Sequence, residues 1–201
     1  DMGLGKAITQ LVAKKIGENE EHEIPSLVWI GIGLMIIFGI ISALVFWLIS
    51  PWLVFSKLAI PDSLREETLS VFYTLAVSIP IVIATTGLRG ILEARQRFDV
   101  VNIMRAPLGT MMYLSSLAVL QFSNSLPLLV ETLVGVRIVS VVVHLVVCGY
   151  LYPELTSRPP FHQHLVKQLL SFGGWMTLSN FAAPLLLYLG RLLLIVLVSA
   201  E

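Results

Sequence analysis

Residues 27–49 read LVWIGIGLMIIFGIISALVFWLI, without a single charge. A helix of that length, at about 1.5 Å per residue, reaches across the roughly 30 Å hydrocarbon layer of a bilayer. Period-two alternation is absent, and strands of a membrane barrel are only about 9–11 residues long, so a helix is the reading that satisfies every backbone group internally. This stretch decides the fold class: an all-α chain that crosses a membrane.

The same argument extends along the chain to 69–88 (LSVFYTLAVSIPIVIATTGL), 104–122 (MRAPLGTMMYLSSLAVLQF), 126–151 (LPLLVETLVGVRIVSVVVHLVVCGYL) and 173–199 (GGWMTLSNFAAPLLLYLGRLLLIVLVS). Residues 1–17 carry Leu4, Ile8, Leu11 and Val12 at helical spacing and read as the end of a further spanning helix. Pro80, Pro107, Pro127 and Pro184 do not disturb these assignments, because proline is tolerated in spanning helices. Between the last two spans, FHQHLVKQLLSF (161–172) sets Phe161, Leu165, Leu169 and Phe172 on one stripe, which suits an amphipathic helix lying along the inner interface.

Composition agrees. Of 201 residues, 56% are hydrophobic and 13% charged, and the mean hydropathy is +0.87; soluble domains run near 45–50% apolar and about 25% charged. Thirteen basic and thirteen acidic residues cancel, and without a clustered basic face there is no ground for a nucleic-acid partner. A single cysteine, Cys148, excludes an internal disulfide framework. The chain begins at Asp1 within an apparent helix and stops at Glu201 directly after an apolar run, which we read as a segment of a longer protein.

Basic residues set the orientation. With 18–26 placed inside, Lys6, Lys14, Lys15, Arg89, Arg95, Arg97, Arg105, Arg158 and Lys167 fall at the inner side or its helix ends, and only Lys57 and Arg65 fall outside. Such a bias follows the positive-inside rule. Trp29, Trp47, Trp52 and Trp175 lie near span ends, where an amphipathic indole is expected.

Two arginines remain within spans. Asn180, Pro184 and Arg191 fall within about 40° on a helical wheel, with Thr177 and Tyr188 beside them, so the polarity of the last span gathers on one stripe. An arginine facing lipid at mid-membrane costs at least about 2.5–3.5 kcal/mol on insertion scales, so that stripe should face protein or a wet cavity. Arg137 lies near the middle of 126–151, with Ser140 and His144 on its broad face. A guanidinium and an imidazole on one buried stripe suit an anion such as a diphosphate. The alternatives are a snorkelling or helix-pairing arginine at Arg191, an ion pair with another helix at Arg137, and a hydrogen-bonded structural histidine at His144.

Weaker features point to packing. Gly31, Gly33, Gly39 and Gly135 offer close helix approach, and Tyr73, Ser78, Thr85 and Thr86 offer interhelical hydrogen bonds or the coat of a cavity. No phosphate loop, HExxH, CxxC or GxSxG occurs, and His162 and His164 have no further ligand near in sequence. Neither a cofactor, a metal nor an enzyme is therefore indicated.

Three pieces in order carry a family resemblance: DMGLGKAITQLVAKKIG, GLRGILEARQRFDVVNIMRAPLG and LLSFGGWMTLSNFAAPLLLYLGR. Together they resemble the polysaccharide and oligosaccharide flippases of the multidrug/oligosaccharidyl-lipid/polysaccharide exporter superfamily, over essentially the whole chain. The resemblance implies a multi-pass protein of the bacterial inner membrane with two six-helix lobes of MATE-like fold around a central cavity. Residues 1–160 would be the remainder of the N-terminal lobe, 161–172 the connection, and 173–201 the first helix of the C-terminal lobe. It implies a transporter of polyprenyl-diphosphate-linked oligosaccharide, with membrane lipids and the rest of the chain as partners and a proton or sodium gradient as drive. Arg137, Arg191, Ser140, His144, Asn180 and Tyr188 are the residues we assign to the substrate path. Arg191 matches an arginine that often follows an aspartate in the seventh helix of this family, but here Gly190 precedes it. Competing readings are a multidrug or other lipid exporter of the superfamily, a membrane-embedded transferase, and a structural membrane subunit.

Overall fold

The computed structural model describes residues 3–156 and 162–198, with backbone alone at Thr156, Phe181, Ala183, 185–187 and 189–198. Six α-helices carry nearly all of it: α1 (Leu4–Gly17), α2 (Ile24–Trp52), α3 (Arg65–Ala94), α4 (Phe98–Phe122), α5 (Leu126–Leu151) and α6 (Gln163–Val198). Among the described residues α2, α3, α4 and α5 are long and apolar enough to cross a membrane. No more than 17% of the most apolar stretch of any of them is buried within the chain. That is the inverse of a soluble fold, and it leaves a largely apolar exterior for hydrocarbon or further helices.

Local sequence explains the helix ends. Pro25 and Pro127 occupy the first turns of α2 and α5, where a missing N–H costs nothing. Pro80 and Pro107 lie inside α3 and α4, as tolerated in apolar surroundings. Pro51 closes α2, which runs on into a single wide turn at Leu53–Lys57.

α3 is central, packing against α1, α2, α4 and α5, while α6 packs on α1 and α2. Gly39 and Pro80 show how closely α2 and α3 approach, since a Cβ on residue 39 would lie 2.9 Å from the Pro80 Cα. Gly31 likewise admits Ile8, but Gly33 and Gly135 have open space around them, so the packing role expected of those two is not observed. The hydroxyls of Ser78, Thr85 and Thr86 donate to carbonyls of their own helix, at Leu75, Ile81 and Val82, and not to neighbouring helices as expected. A backbone carbonyl one turn back satisfies a hydroxyl in lipid without any partner helix.

The tightest core lies at one end of the bundle. Leu4, Ile8 and Val12 of α1 meet Ile24 and Leu27 of α2, Ile91 and Leu92 of α3, and Leu165 and Leu169 of α6. The separate interfacial helix expected at 161–172 is corrected here: from Gln163 the chain is one helix through Val198, with no break at 172–173. Leu165 and Leu169 are fully buried against the bundle, so their stripe serves packing; Phe161 lies outside the described residues.

Ion pairs tie this same end together. Arg95 bridges Glu21 and Glu154, both at 3.1 Å, and stacks over Tyr152, while Lys15 pairs with Glu20 and Glu23. The hydrogen-bonding carboxylates, Glu20 foremost, hold the Lys15 ammonium above its ordinary value. The indole N–H of Trp29 donates to the Leu155 carbonyl at 2.9 Å. At the opposite end the Leu126 N–H donates to Glu67 at 2.9 Å, joining the starts of α3 and α5. These two ends carry the residues assigned above to the inner and outer sides.

Candidate functional site

α3, α4 and α5 do not close on one another along their whole length. Between them lies a cavity of about 340 Å³. Helical spacing places its walls: Thr85 and Arg89 are one turn apart on α3, and Arg105, Leu108 and Met112 follow at three and four residues on α4. From α5 come Arg137, Ser140 and His144. Gly109 contributes no side chain, and nothing lies within 4 Å of where its Cβ would be, which leaves the α4 wall open.

Three guanidinium-bearing residues from three helices therefore surround one space, and among the described residues no carboxylate lines it. His144 is 5% exposed, and its Nδ1 lies 2.7 Å from the Ser140 carbonyl oxygen. A carbonyl can only accept, so Nδ1 carries the proton and Nε2 is the acceptor nitrogen. Such a donor set suits an anion with several oxygens: arginine presents paired N–H groups, and the low-dielectric walls strengthen each charge-assisted bond.

A second cavity of about 210 Å³ adjoins it on the other side of α3, against α1 and α6. Lys6, Thr9, Thr86, Glu93 and Asn180 line it, and Arg89 borders both cavities. The Lys6 ammonium donates to Asn180 Oδ1 at 3.1 Å, and Arg89 Nε lies 3.1 Å from Glu93 Oε1. The backbones are close here because Gly90 faces Gly5 and Thr9; a Cβ at residue 90 would sit 2.8 Å from the Thr9 hydroxyl.

Of the residues expected in the path, Arg137, Ser140 and His144 come together in the first cavity, and Asn180 lies in the second. Tyr188 is 66% exposed and lines neither of these two cavities. The side chain of Arg191 lies outside the described residues. Sequence reasoning missed Arg89, Arg105, Lys6 and Glu93 as site residues, having counted the three basic ones only toward orientation. Arg89 is four residues from Thr85, so its place on a mild polar stripe of α3 was the available pointer. Among the described residues no group of three or more His, Cys, Asp or Glu is placed to hold a metal; the His162 and His164 rings lie 5.5 Å apart, and His164 Nε2 is 3.9 Å from Glu23 Oε2.

Bilayer-length helices with an apolar exterior and charged cavities between them define a polytopic α-helical membrane protein. Comparison with known proteins narrows the class: the chain belongs to the family described as polysaccharide biosynthesis protein, which matches residues 1–201. The resemblance drawn from the three sequence pieces is thereby supported at the level of the family. A curated relative, "Putative O-antigen transporter" of Shigella flexneri, is 25% identical over 202 residues, covering 100% of this chain and 47% of its own length. The chain thus spans about half the length of that relative. No solved structure matches. The protein is a multi-pass protein of the bacterial inner membrane.

Proposed function

We propose that this chain forms part of a transporter that flips polyprenyl-diphosphate-linked oligosaccharide from the cytoplasmic to the outer leaflet for surface polysaccharide assembly. One observation carries the reading: Arg89, Arg105 and Arg137, from three helices, surround a cavity that no described carboxylate lines. Cations gathered in a space of reduced polarity repel one another and lose hydration, so the arrangement favours an anionic guest. A diphosphate offers charge and oxygens enough for all three guanidinium groups, whereas a cationic drug would call for facing carboxylates.

In this reading Arg137 lies deepest and fixes the headgroup, with Arg105 and Arg89 nearer the inner end. Ser140 donates its hydroxyl to the phosphate oxygens and His144 helps hydrate them, and Asn180, Tyr188 and Arg191 of α6 continue the path toward a second lobe. The helices α1 to α5 belong to one lobe of a MATE-like pair and α6 opens the other, and rocking of the two around the site exchanges its access. Transport of a headgroup makes and breaks no bond, and a proton or sodium gradient supplies the drive. The relative's name supports transport of a polysaccharide precursor.

The test uses the full-length protein in liposomes holding fluorescent lipid-linked oligosaccharide, with leaflet exchange followed by quenching from outside. Arg105→Ala and Arg137→Ala are each expected to slow exchange by roughly tenfold or more, the loss of about 1.4 kcal/mol of charge-assisted bonding, while membrane insertion is unchanged. Wild-type exchange by both variants would overturn the reading.

A further inference from the structure

Glu93 is the single carboxylate among the residues lining the two cavities, and it holds the one arginine that borders both. The pair is an i,i+4 pair on α3 at 3.1 Å, with Arg89 44% and Glu93 33% exposed. In this order, with the cation toward the helix N-terminus, such a pair is weaker than its reverse, and half-exposure weakens it further. Arg89 is therefore held loosely. Across the second cavity the Lys6 ammonium has a neutral amide as its partner, Asn180 Oδ1 at 3.1 Å.

We infer that Glu93 is a built-in counter-ion that occupies Arg89 while the anion site is empty and surrenders it to an arriving diphosphate. This rests on the anion reading above and adds a residue that sets the site's affinity. Charge is accounted for in both conditions. With the site empty, Glu93 neutralises Arg89, which lowers the repulsion toward Arg105 and Arg137. With a diphosphate present, all three arginines face the anion, and the released carboxylate shares its cavity with Lys6, the cation able to take Arg89's place. The carboxylate thus competes with the guest for Arg89. Binding is weaker than three free arginines would give, and departure of the guest is assisted by a partner already tethered four residues away. Such tuning suits a site that must release its cargo, because a guest held too tightly is never delivered.

The proposal is tested on the full-length protein in nanodiscs with inorganic diphosphate as the probe and a soluble short-chain prenyl diphosphate in a parallel arm, both by calorimetry. Glu93→Gln removes the competing charge at constant shape and is expected to tighten binding of both probes by roughly 2- to 5-fold, the upper range for a half-exposed helix pair. In an Arg89→Ala background the same substitution is expected to change nothing, because no arginine remains to release. A gain in affinity cannot arise from misfolding, so the outcome reads the exchange itself. If Arg105→Ala and Arg137→Ala weaken binding while Glu93→Gln leaves it unchanged, the role of Glu93 is overturned and the anion site stands. A gain that persists without Arg89 overturns the exchange equally. Absence of binding to every form at millimolar probe overturns the anion reading and this inference together.

Discussion

Arg137 lies partly buried, roughly 16 Å from the nearer end of α5 and 21 Å from the inner one at 1.5 Å per residue, too deep for its stem to carry the guanidinium out past either end. Its planar fork distinguishes it from a point charge. Arg137→Lys is expected to retain measurable diphosphate affinity yet lose about 3- to 10-fold, because bidentate bonding goes while charge remains; equal affinity for Lys and Arg would show that charge alone matters. Gly39 poses a steric case. A Cβ there would meet backbone at Pro80, which cannot swing aside as a side chain can, so Gly39→Val is expected to cost about 1–3 kcal/mol. Gly33→Val, in open space two turns away, is the control, expected to shift the melting temperature in detergent little. These two glycines look alike in sequence because a run hydrophobic all round has no stripe to say which face meets a neighbour. Arg137, Ser140 and His144 were legible together for the opposite reason: on an apolar helix a polar stripe is the conspicuous feature.

Arg89 and Arg105 escaped that reading because helix length was judged from hydropathy. The expected span stopped at 88, just before Arg89, while α3 runs to Ala94; Arg105, second in the span expected from 104, read as a helix end, while α4 starts seven residues before it at Phe98. Arginine and glutamate are good helix formers, so the helices continue past the apolar limit and carry charges into the cleft. The same cause hid the continuity of α6: 161–172 and 173–199 differ in polarity, yet Gly173 and Gly174 cost a helix only about 1 kcal/mol each, and packing of Leu165 and Leu169 offsets it. The start of the connection that follows α5, at Glu154 and Leu155, is held by Arg95 and Trp29. Arg95 is 19% exposed and joins Glu21, Glu154 and the Tyr152 ring, segments more than 50 residues from one another and from it. Arg95→Ala is expected to lower stability by about 1–3 kcal/mol, since it removes both ion pairs and the ring contact at one partly buried position. Hydrogen exchange should quicken at 21–23 and 153–156 while the outer junction of α3 with α5 keeps its protection; uniform loosening of both ends would contradict a local clamp.

For the molecule as a whole, the proposed direction of transport depends on which end faces the cytoplasm. The first cavity lies toward the end carrying the Lys15, Arg95 and Glu154 network: Arg89 is roughly 8 Å from that end of α3, and Arg105 roughly 10 Å from that end of α4, at 1.5 Å per residue. At the opposite end the basic residues are few and engaged, Arg65 with Asp62 at 2.7 Å and Lys57 over the Trp52 ring. The excess of lysine and arginine at the cavity end is what the positive-inside rule expects of a cytoplasmic side, and under the proposed function a headgroup would then enter from the cytoplasmic leaflet, where lipid-linked precursors would have to be loaded for outward flipping. Cysteines placed one at a time in a Cys148→Ala background test this with a membrane-impermeant maleimide on intact spheroplasts. Glu18→Cys, exposed at the cavity end, is expected to react only after permeabilisation, and Asn124→Cys, exposed between α4 and α5, to react at once. The reverse pattern would turn the arginine cavity toward the periplasm, and loading would then have to begin from the outer leaflet. That result would leave the anion chemistry intact and overturn the proposed direction.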